Sequence, residues 1–347
     1  MVGVEGSSYR RPGARMLVTD DGKWEGAISG GCLEGDALVK ARQAMENDIP
    51  MVVTYDTMDD DANSLEVGLG CNGIIDVFFE PVHPNDPANP IVFLKDHVRD
   101  GEYHVLATVL KSGNGSDLRP GKRFILTEND SNSIPGRLLE DMRRTLSGEV
   151  QGIKIYDDPG ELIEVFIERI SPDPELVIFG AGYDVIPVVR LAGELGWPVT
   201  VTEDCVAHLA PRRFTPSTCL IFAERDAVLE KIKITDHTAA VLMSHNYKYD
   251  LAVLDGLLSS DIPYIGVLGP LKRFEKIRAE LENRGKLFPE SAWSRVHAPI
   301  GLDIGAEAPD EIALSILSEI KAFFTGKSAG FLKDRKIPIH DRASREG

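Results

Sequence analysis

Leu176-Val-Ile-Phe-Gly180-Ala-Gly182-Tyr-Asp-Val-Ile-Pro187 is the stretch whose reading decides the fold. Four apolar residues followed by two glycines one residue apart read as a buried strand ending in a tight turn. Residues 185–195 then run apolar at helical spacing. Strand, glycine turn and helix form the opening unit of a dinucleotide-type parallel sheet. The first glycine permits backbone angles closed to other residues, and the second lets an anion approach the main chain. The helix start offers free N–H groups and partial positive charge.

A second strand at 198–202 ends in Glu203-Asp204. An acid about 20 residues beyond the glycines is where this fold holds a ribose hydroxyl. Two features depart from the pattern. The third glycine of G-x-G-x-x-G would fall where Val185 stands, and Pro187 fits only a helix that begins late, for example with Asp184 as N-cap. A Rossmann-like domain is therefore expected. Its turn is either a site for NAD(P) or a device that packs a helix on a sheet.

Further strands are expected at 217–223, 239–243 and from Tyr264, with helices at 251–259, 272–284 and 311–324, and a short helix at 227–231 capped by Asp226. Ligands of doubly wound sheets bind beyond the carboxyl ends of the strands. Gly180, Gly182, Glu203 and His245 would share that edge. His245 reads as a proton carrier or hydrogen-bond donor to an anion, or else as the cap of the helix that follows.

Ser171-Pro-Asp-Pro174 reads as a linker. The half before it opens with a short strand, a polar loop and a hairpin turning at Asp20-Asp21-Gly22. It then reaches Ser29-Gly30-Gly31-Cys32-Leu33-Glu34-Gly35-Asp36, after which residues 33–47 are helical in pattern. A thiol between glycines and a helix start has free N–H groups nearby and a lowered pKa, although a free cysteine is most often a small buried filler. A second loop, Gly68-Leu-Gly70-Cys71-Asn-Gly73, echoes the first before a strand at 74–80. A Cys32–Cys71 disulfide is the competing explanation, which a reducing compartment disfavours. Strands follow at 51–55, 103–111, 123–127 and 160–170, with helices at 90–99 and 135–146.

At 347 residues the chain should hold two domains and a tail, divided as 1–170, 171–325 and 326–347. Its net charge of −17 argues against a nucleic-acid partner, since a phosphate backbone needs a basic face. No run of about 18 apolar residues marks a membrane span. The start Met-Val-Gly-Val-Glu-Gly lacks signal-peptide character, so a cytoplasmic protein is expected. The four cysteines form no C-x-x-C pair, which argues against structural zinc.

Taken together and in order, these motifs resemble the XdhC/CoxI family, accessory factors of xanthine dehydrogenase and related molybdenum hydroxylases. The resemblance rests on Gly6-Ser-Ser-Tyr-Arg-Arg-Pro-Gly-Ala-Arg-Met, the two Gly-Cys loops, Gly180-Ala-Gly182 with Pro187, and Ser244-His245 followed by Asp250. It rests also on Tyr264-Ile-Gly-Val-Leu-Gly and on Ile300-Gly-Leu-Asp-Ile-Gly-Ala-Glu-Ala-Pro-Asp-Glu-Ile. It implies an N-terminal α/β domain followed by a Rossmann-like domain, often as a homodimer. It also implies binding of the molybdenum cofactor (molybdopterin), support of its sulfuration beside a cysteine desulfurase, and delivery to the apo-hydroxylase, as a chaperone rather than a catalyst. Gly30, Gly31, Cys32, Gly70, Cys71, Gly180, Gly182, Glu203 and His245 become the candidate cofactor residues, and Cys32 and Cys71 candidate molybdenum ligands. Two positions depart from the family pattern. Tyr183 stands where histidine is common, and Glu203-Asp204-Cys205 where Asp-x-Arg is frequent. An NAD(P)-dependent oxidoreductase is the alternative from the residues alone.

Overall fold

The computed structural model describes residues 1–6, 8–56, 73–86, 89–98, 101–113, 118–127, 134–149, 151–158 and 161–336. The chain divides into two compact units: Met1–Ser171 with the C-terminal Arg335–Gly347, and Pro172–Asp334.

In the first unit, β1 (Gly3–Gly6) leads to a hairpin of β2 (Met16–Val18) and β3 (Trp24–Gly26), then α1 (Glu34–Asn47), β4 (Met51–Asp56) and β5 (Gly73–Phe79). β5 is the centre of an antiparallel sheet of order β1-β5-β4. α1 buries Ala37 and Ala44, which join Ile28, Leu33, Ile75, Val77 and Phe79 in one core. α2 (Pro90–Val98), β6 (His104–Lys111), β7 (Arg123–Leu126), α3 (Gly136–Leu146), β8 (Gly152–Asp158) and β9 (Glu161–Ile170) follow. These strands form a second antiparallel sheet, β7-β6-β9-β8. β6 is buried along nearly its whole length, and its sequence is apolar there except for His104 and Thr108. α3 lays Leu138 and Met142 on this sheet, as its helical spacing predicts. β8 was not expected from the sequence. Among the described residues it is an edge strand paired only with β9, and it leaves Ile155 exposed, so its alternation is weak.

Glu80 and Arg123 form an ion pair in the first unit, with Arg123 Nη1 3.0 Å from Glu80 Oε1 and both side chains largely buried. Arg15 reaches Glu168 at 2.6 Å. The two pairs border a cavity of about 300 Å³ whose lining includes Ala37, Ala41, Phe79, Ile91 and Leu94.

The second unit is built on β10 (Glu175–Phe179), α4 (Val185–Glu194), β11 (Val199–Glu203), β12 (Cys219–Phe222), β13 (Thr238–Leu242), α5 (Tyr247–Leu258), β14 (Tyr264–Val267), α6 (Leu271–Asn283), α7 (Glu290–Trp293), β15 (Val296–His297) and α8 (Pro309–Phe324). Its six strands are all parallel, in the order β12-β11-β10-β13-β14-β15. Counted within this unit, that is 3-2-1-4-5-6, the doubly wound Rossmann order. The chain reverses direction of winding between β10 and β13. One face of the sheet packs on α4 and α8 through Val185, Val188, Val189, Ile316 and Ile320. The other packs on α5 and α6 through Leu254, Leu257, Ile277 and Leu281.

Two local expectations are corrected. The segment after Asp226 is a 3-10 turn, Val228–Lys231, entered through Ala227 without a side-chain cap. α5 begins one turn earlier than expected and is capped by Asn246, whose side chain accepts N–H bonds from Lys248 (3.1 Å) and Tyr249 (3.3 Å). An amide that can accept two orphan N–H bonds makes the better cap, so His245 is left outside the helix.

Candidate functional site

In the first unit, Ser29 and Glu34 shape the Gly30–Gly31–Cys32 loop. The Glu34 carboxylate, almost fully buried, accepts N–H bonds from Ile28 (3.2 Å) and Ser29 (2.8 Å) and the O–H of Ser29. Ser29 Oγ in turn accepts from the N–H groups of Gly31 (3.1 Å) and Leu33 (3.1 Å), and Cys32 Sγ lies 3.6 Å from it. Burial pushes the Glu34 carboxyl up, but these donated bonds prevail and hold it below the usual carboxylate range. An ionised group inside the loop fixes its backbone.

Among the described residues, the outer surface of this loop is uncovered at Gly31. Gly31 has φ of 110°, open only to glycine, and a methyl group there would meet none of the described residues within 4 Å. A methyl group on Gly35, in the first turn of α1, would likewise meet none of them. The Tyr9 ring lies against Gly30, 3.3 Å from where a methyl group would sit, and is itself exposed. Cys32 is half-buried beside the start of α1, its sulfur a free thiol. The arrangement offers an accessible surface, first-turn N–H groups and a soft donor atom. Gly70 and Cys71 lie outside the described residues. Among the described residues, no group of three or more histidine, cysteine or acidic side chains gathers as for a metal ion.

In the second unit, Gly180, Gly182, Glu203 and His245 come together at the carboxyl edge of the sheet, as the strand pattern predicts. Gly180 has φ of 118°, and a methyl group on it would lie 2.5 Å from Ser244 Cα and 2.6 Å from the Met243 carbonyl. Close packing of the first strand's exit on the fourth strand's exit therefore demands this glycine. α4 begins at Val185, after Asp184. Pro187 sits in its first turn, where a missing N–H costs nothing. Val185 is fully buried, so the third glycine position has become a core residue.

The acids of this edge are engaged with the turn. Glu203 Oε2 accepts the Ala181 N–H at 3.0 Å and lies 3.5 Å from His208 Nδ1, while Oε1 accepts the Asp204 N–H at 3.0 Å. Asp184 does not bond to its own helix. Its Oδ2 lies 3.3 Å from His245 Nε2. A methyl group on Gly182 would come within 3.5 Å of the His245 ring, which thus lies over the turn. Arg213 Nη2 reaches the Gly182 carbonyl at 3.4 Å.

Sequence reasoning did not foresee what lies under His245. Ser244 Oγ accepts the Asn246 N–H at 3.0 Å and donates to Asp250 Oδ1 at 2.5 Å. Asp250 is fully buried, and its Oδ2 is 2.7 Å from Arg273 Nη2 on α6. Burial raises the Asp250 carboxyl, and Ser244 and Arg273 oppose the rise. Between Ser244 and Asn246, His245 is held at φ of 55°, in the left-handed region. Ser244, His245 and Asp250 were legible as a pattern, but Arg273 is joined to them only by the fold.

Fold and site define a two-unit α/β protein, with a Rossmann unit whose glycine turn is filled by its own carboxylates and an N-terminal unit that presents a braced thiol loop. Residues 176–320 match the XdhC Rossmann domain and residues 1–56 the XdhC and CoxI family, and the chain belongs to that family. It is 33% identical over 321 residues to a Bacillus subtilis protein named as a probable xanthine dehydrogenase subunit, covering 92% of this chain and 90% of that protein. It is 22% identical over 325 residues to the molybdenum cofactor insertion chaperone PaoD of Escherichia coli, covering 92% and 80%. A crystal structure of a xanthine dehydrogenase from Bacillus halodurans superposes with a TM-score of 0.73 at 30% identity, covering 94% of this chain and 90% of that one.

Proposed function

We propose that this protein is an accessory factor that binds the molybdenum cofactor, protects it while its terminal sulfur is installed, and delivers it to a xanthine dehydrogenase-type hydroxylase. The observation that carries this reading is the Gly30–Gly31–Cys32 loop, uncovered at Gly31 among the described residues and braced within by an ionised Glu34. Its chemistry suits the cargo. The uncovered Gly31 leaves room for a flat ring, and the Cys32 sulfur is a soft donor for molybdenum or a carrier of sulfur. The Bacillus subtilis and Escherichia coli relatives, by name, concern xanthine dehydrogenase and molybdenum cofactor insertion. A cysteine desulfurase as sulfur source, a homodimeric state and a cytoplasmic setting belong to the same proposal. Among the described residues no helix is long and apolar enough to cross a membrane.

The NAD(P)-dependent oxidoreductase has less support. Glu203, the acid that would hold a ribose hydroxyl, is bonded to the turn, and Val185 replaces the third glycine. The test is cofactor content. Protein purified from cells that make molybdenum cofactor should carry nearly one oxidisable pterin and one molybdenum per chain, and Cys32→Ala should lose most of both. Absence of pterin from the wild type, with a clear rise in melting temperature on adding NAD or NADP, would replace this reading with the oxidoreductase.

A further inference from the structure

The cavity of about 300 Å³ in the first unit has no part in the cofactor reading above. Its origin lies in α1. Ala37, Ala41 and Ala44 are three and four residues apart, on one helix face, and all three line it. Alanines supply little side-chain volume, so the helix leaves the space over that face unfilled. The second sheet forms a further wall. Leu106 and Thr108 of β6 stand opposite Glu168 and Phe166 of β9, so these four side chains share the sheet face that lines the cavity.

The charged side chains on these walls are already matched. Arg123 donates to Glu80 and to the Gly121 carbonyl, and Arg15 to Glu168 and to the Gly13 carbonyl. An ionised ligand would have to displace a partner from one of them, which is costly in a largely buried pair. Thr108 is different. It is only 7% exposed, and among the described residues its hydroxyl has no hydrogen-bond partner. A buried hydroxyl without a partner is unfavourable, and a ligand atom at this wall would supply one.

Size and polarity set the class of ligand. An apolar cavity of about 150 Å³ holds one benzene ring, so one of about 300 Å³ suits two fused rings. A pterin is of that size, but the polar atoms around both its rings would go largely unpaired against alanine, isoleucine and leucine. We propose that this cavity binds a neutral, mainly apolar molecule of about two fused rings with one hydroxyl or carbonyl group, held by a hydrogen bond to Thr108. The cofactor reading can fail or hold without affecting this site.

The test uses the full chain with 13C-labelled methionine methyl groups. Met16 and Met45 line the cavity and report its occupant. Their signals are assigned by loss in Met16→Leu and Met45→Leu. The probe is 2-naphthol, uncharged at neutral pH, compared with naphthalene and with the 2-naphthoate anion. 2-Naphthol should bind and shift both signals. Naphthalene lacks the hydroxyl and should bind about tenfold more weakly, the effect of one hydrogen bond. 2-Naphthoate should not bind. Thr108→Val keeps the shape of the side chain and suits a strand, and it should erase the preference for 2-naphthol over naphthalene. Ala41→Phe should fill the cavity and abolish the binding of both, and Ala41→Leu makes the same test where the phenylalanine variant does not fold.

No binding of 2-naphthol, or binding undiminished in the folded Ala41 variant, would overturn the site. Tighter binding of 2-naphthoate than of 2-naphthol would overturn the neutral class of ligand. A preference for 2-naphthol that survives Thr108→Val would overturn the role of Thr108.

Discussion

Gly180→Ala should destabilise the Rossmann unit severely, and Gly182→Ala should barely affect it. At Gly180 a methyl group would sit 2.5–2.6 Å from backbone atoms of Met243 and Ser244, which have no flexible side chain to yield. Its φ of 118° adds conformational strain. Strain of about 1–3 kcal/mol and overpacking of similar size together give about 3–5 kcal/mol. For a unit of this size, that lowers the melting temperature by about 10 °C or more. Gly182 is not among the residues of positive φ, and its methyl group would make an ordinary 3.5 Å contact with the His245 ring. Its replacement should cost no more than about 0.5 kcal/mol. The assay is differential scanning calorimetry, which separates the transition of this unit from that of the other. Equal losses in both variants, or a Gly180→Ala loss below about 1 kcal/mol, would refute the argument that backbone packing at the switch between β10 and β13 demands the first glycine.

Other expectations follow from single residues. Glu80→Gln removes the charged partner of the largely buried Arg123 and should cost about 3 kcal/mol, read by urea denaturation. Asn246→Ala removes the cap of α5 and should cost about 1 kcal/mol by the same measure. Glu34 gives a pH signature. Its carboxyl is held below the usual range in the folded chain, so its stabilisation is present above the unfolded carboxylate pKa of about 4.3 and is lost as pH falls through the lower folded value. Melting temperatures measured between pH 3 and pH 6 should therefore fall less steeply on acidification in Glu34→Gln than in the wild type.

The Rossmann unit was legible because its strands are buried on both faces. Leu176–Phe179 and Ala239–Leu242 read as continuous apolar runs, and the glycines punctuate them. β8 escaped because an edge strand with one partner needs little apolar surface. At the site, the gathering of Gly180, Glu203 and His245 followed from the rule that strand ends share an edge. The roles of those residues did not follow. A carboxylate placed like Glu203 reads as a ribose ligand until its bond to Ala181 is seen, and Asp250 acquires meaning only when folding brings Arg273 from α6 against it. Ser29 and Glu34 lie five residues apart around a helix start, and nothing in the sequence marked Glu34 as the buried acid that braces the loop.

The central claim is that the chain carries molybdenum cofactor for another enzyme. The most direct measurement is reactivation of a purified apo-hydroxylase of the xanthine dehydrogenase type, using this protein loaded with sulfurated cofactor. The account predicts that hydroxylase activity returns in proportion to the cofactor supplied, faster than from the same amount of free cofactor, while the loaded protein alone oxidises no xanthine. Activation no better than that from free cofactor, or turnover of xanthine by this protein by itself, would contradict it.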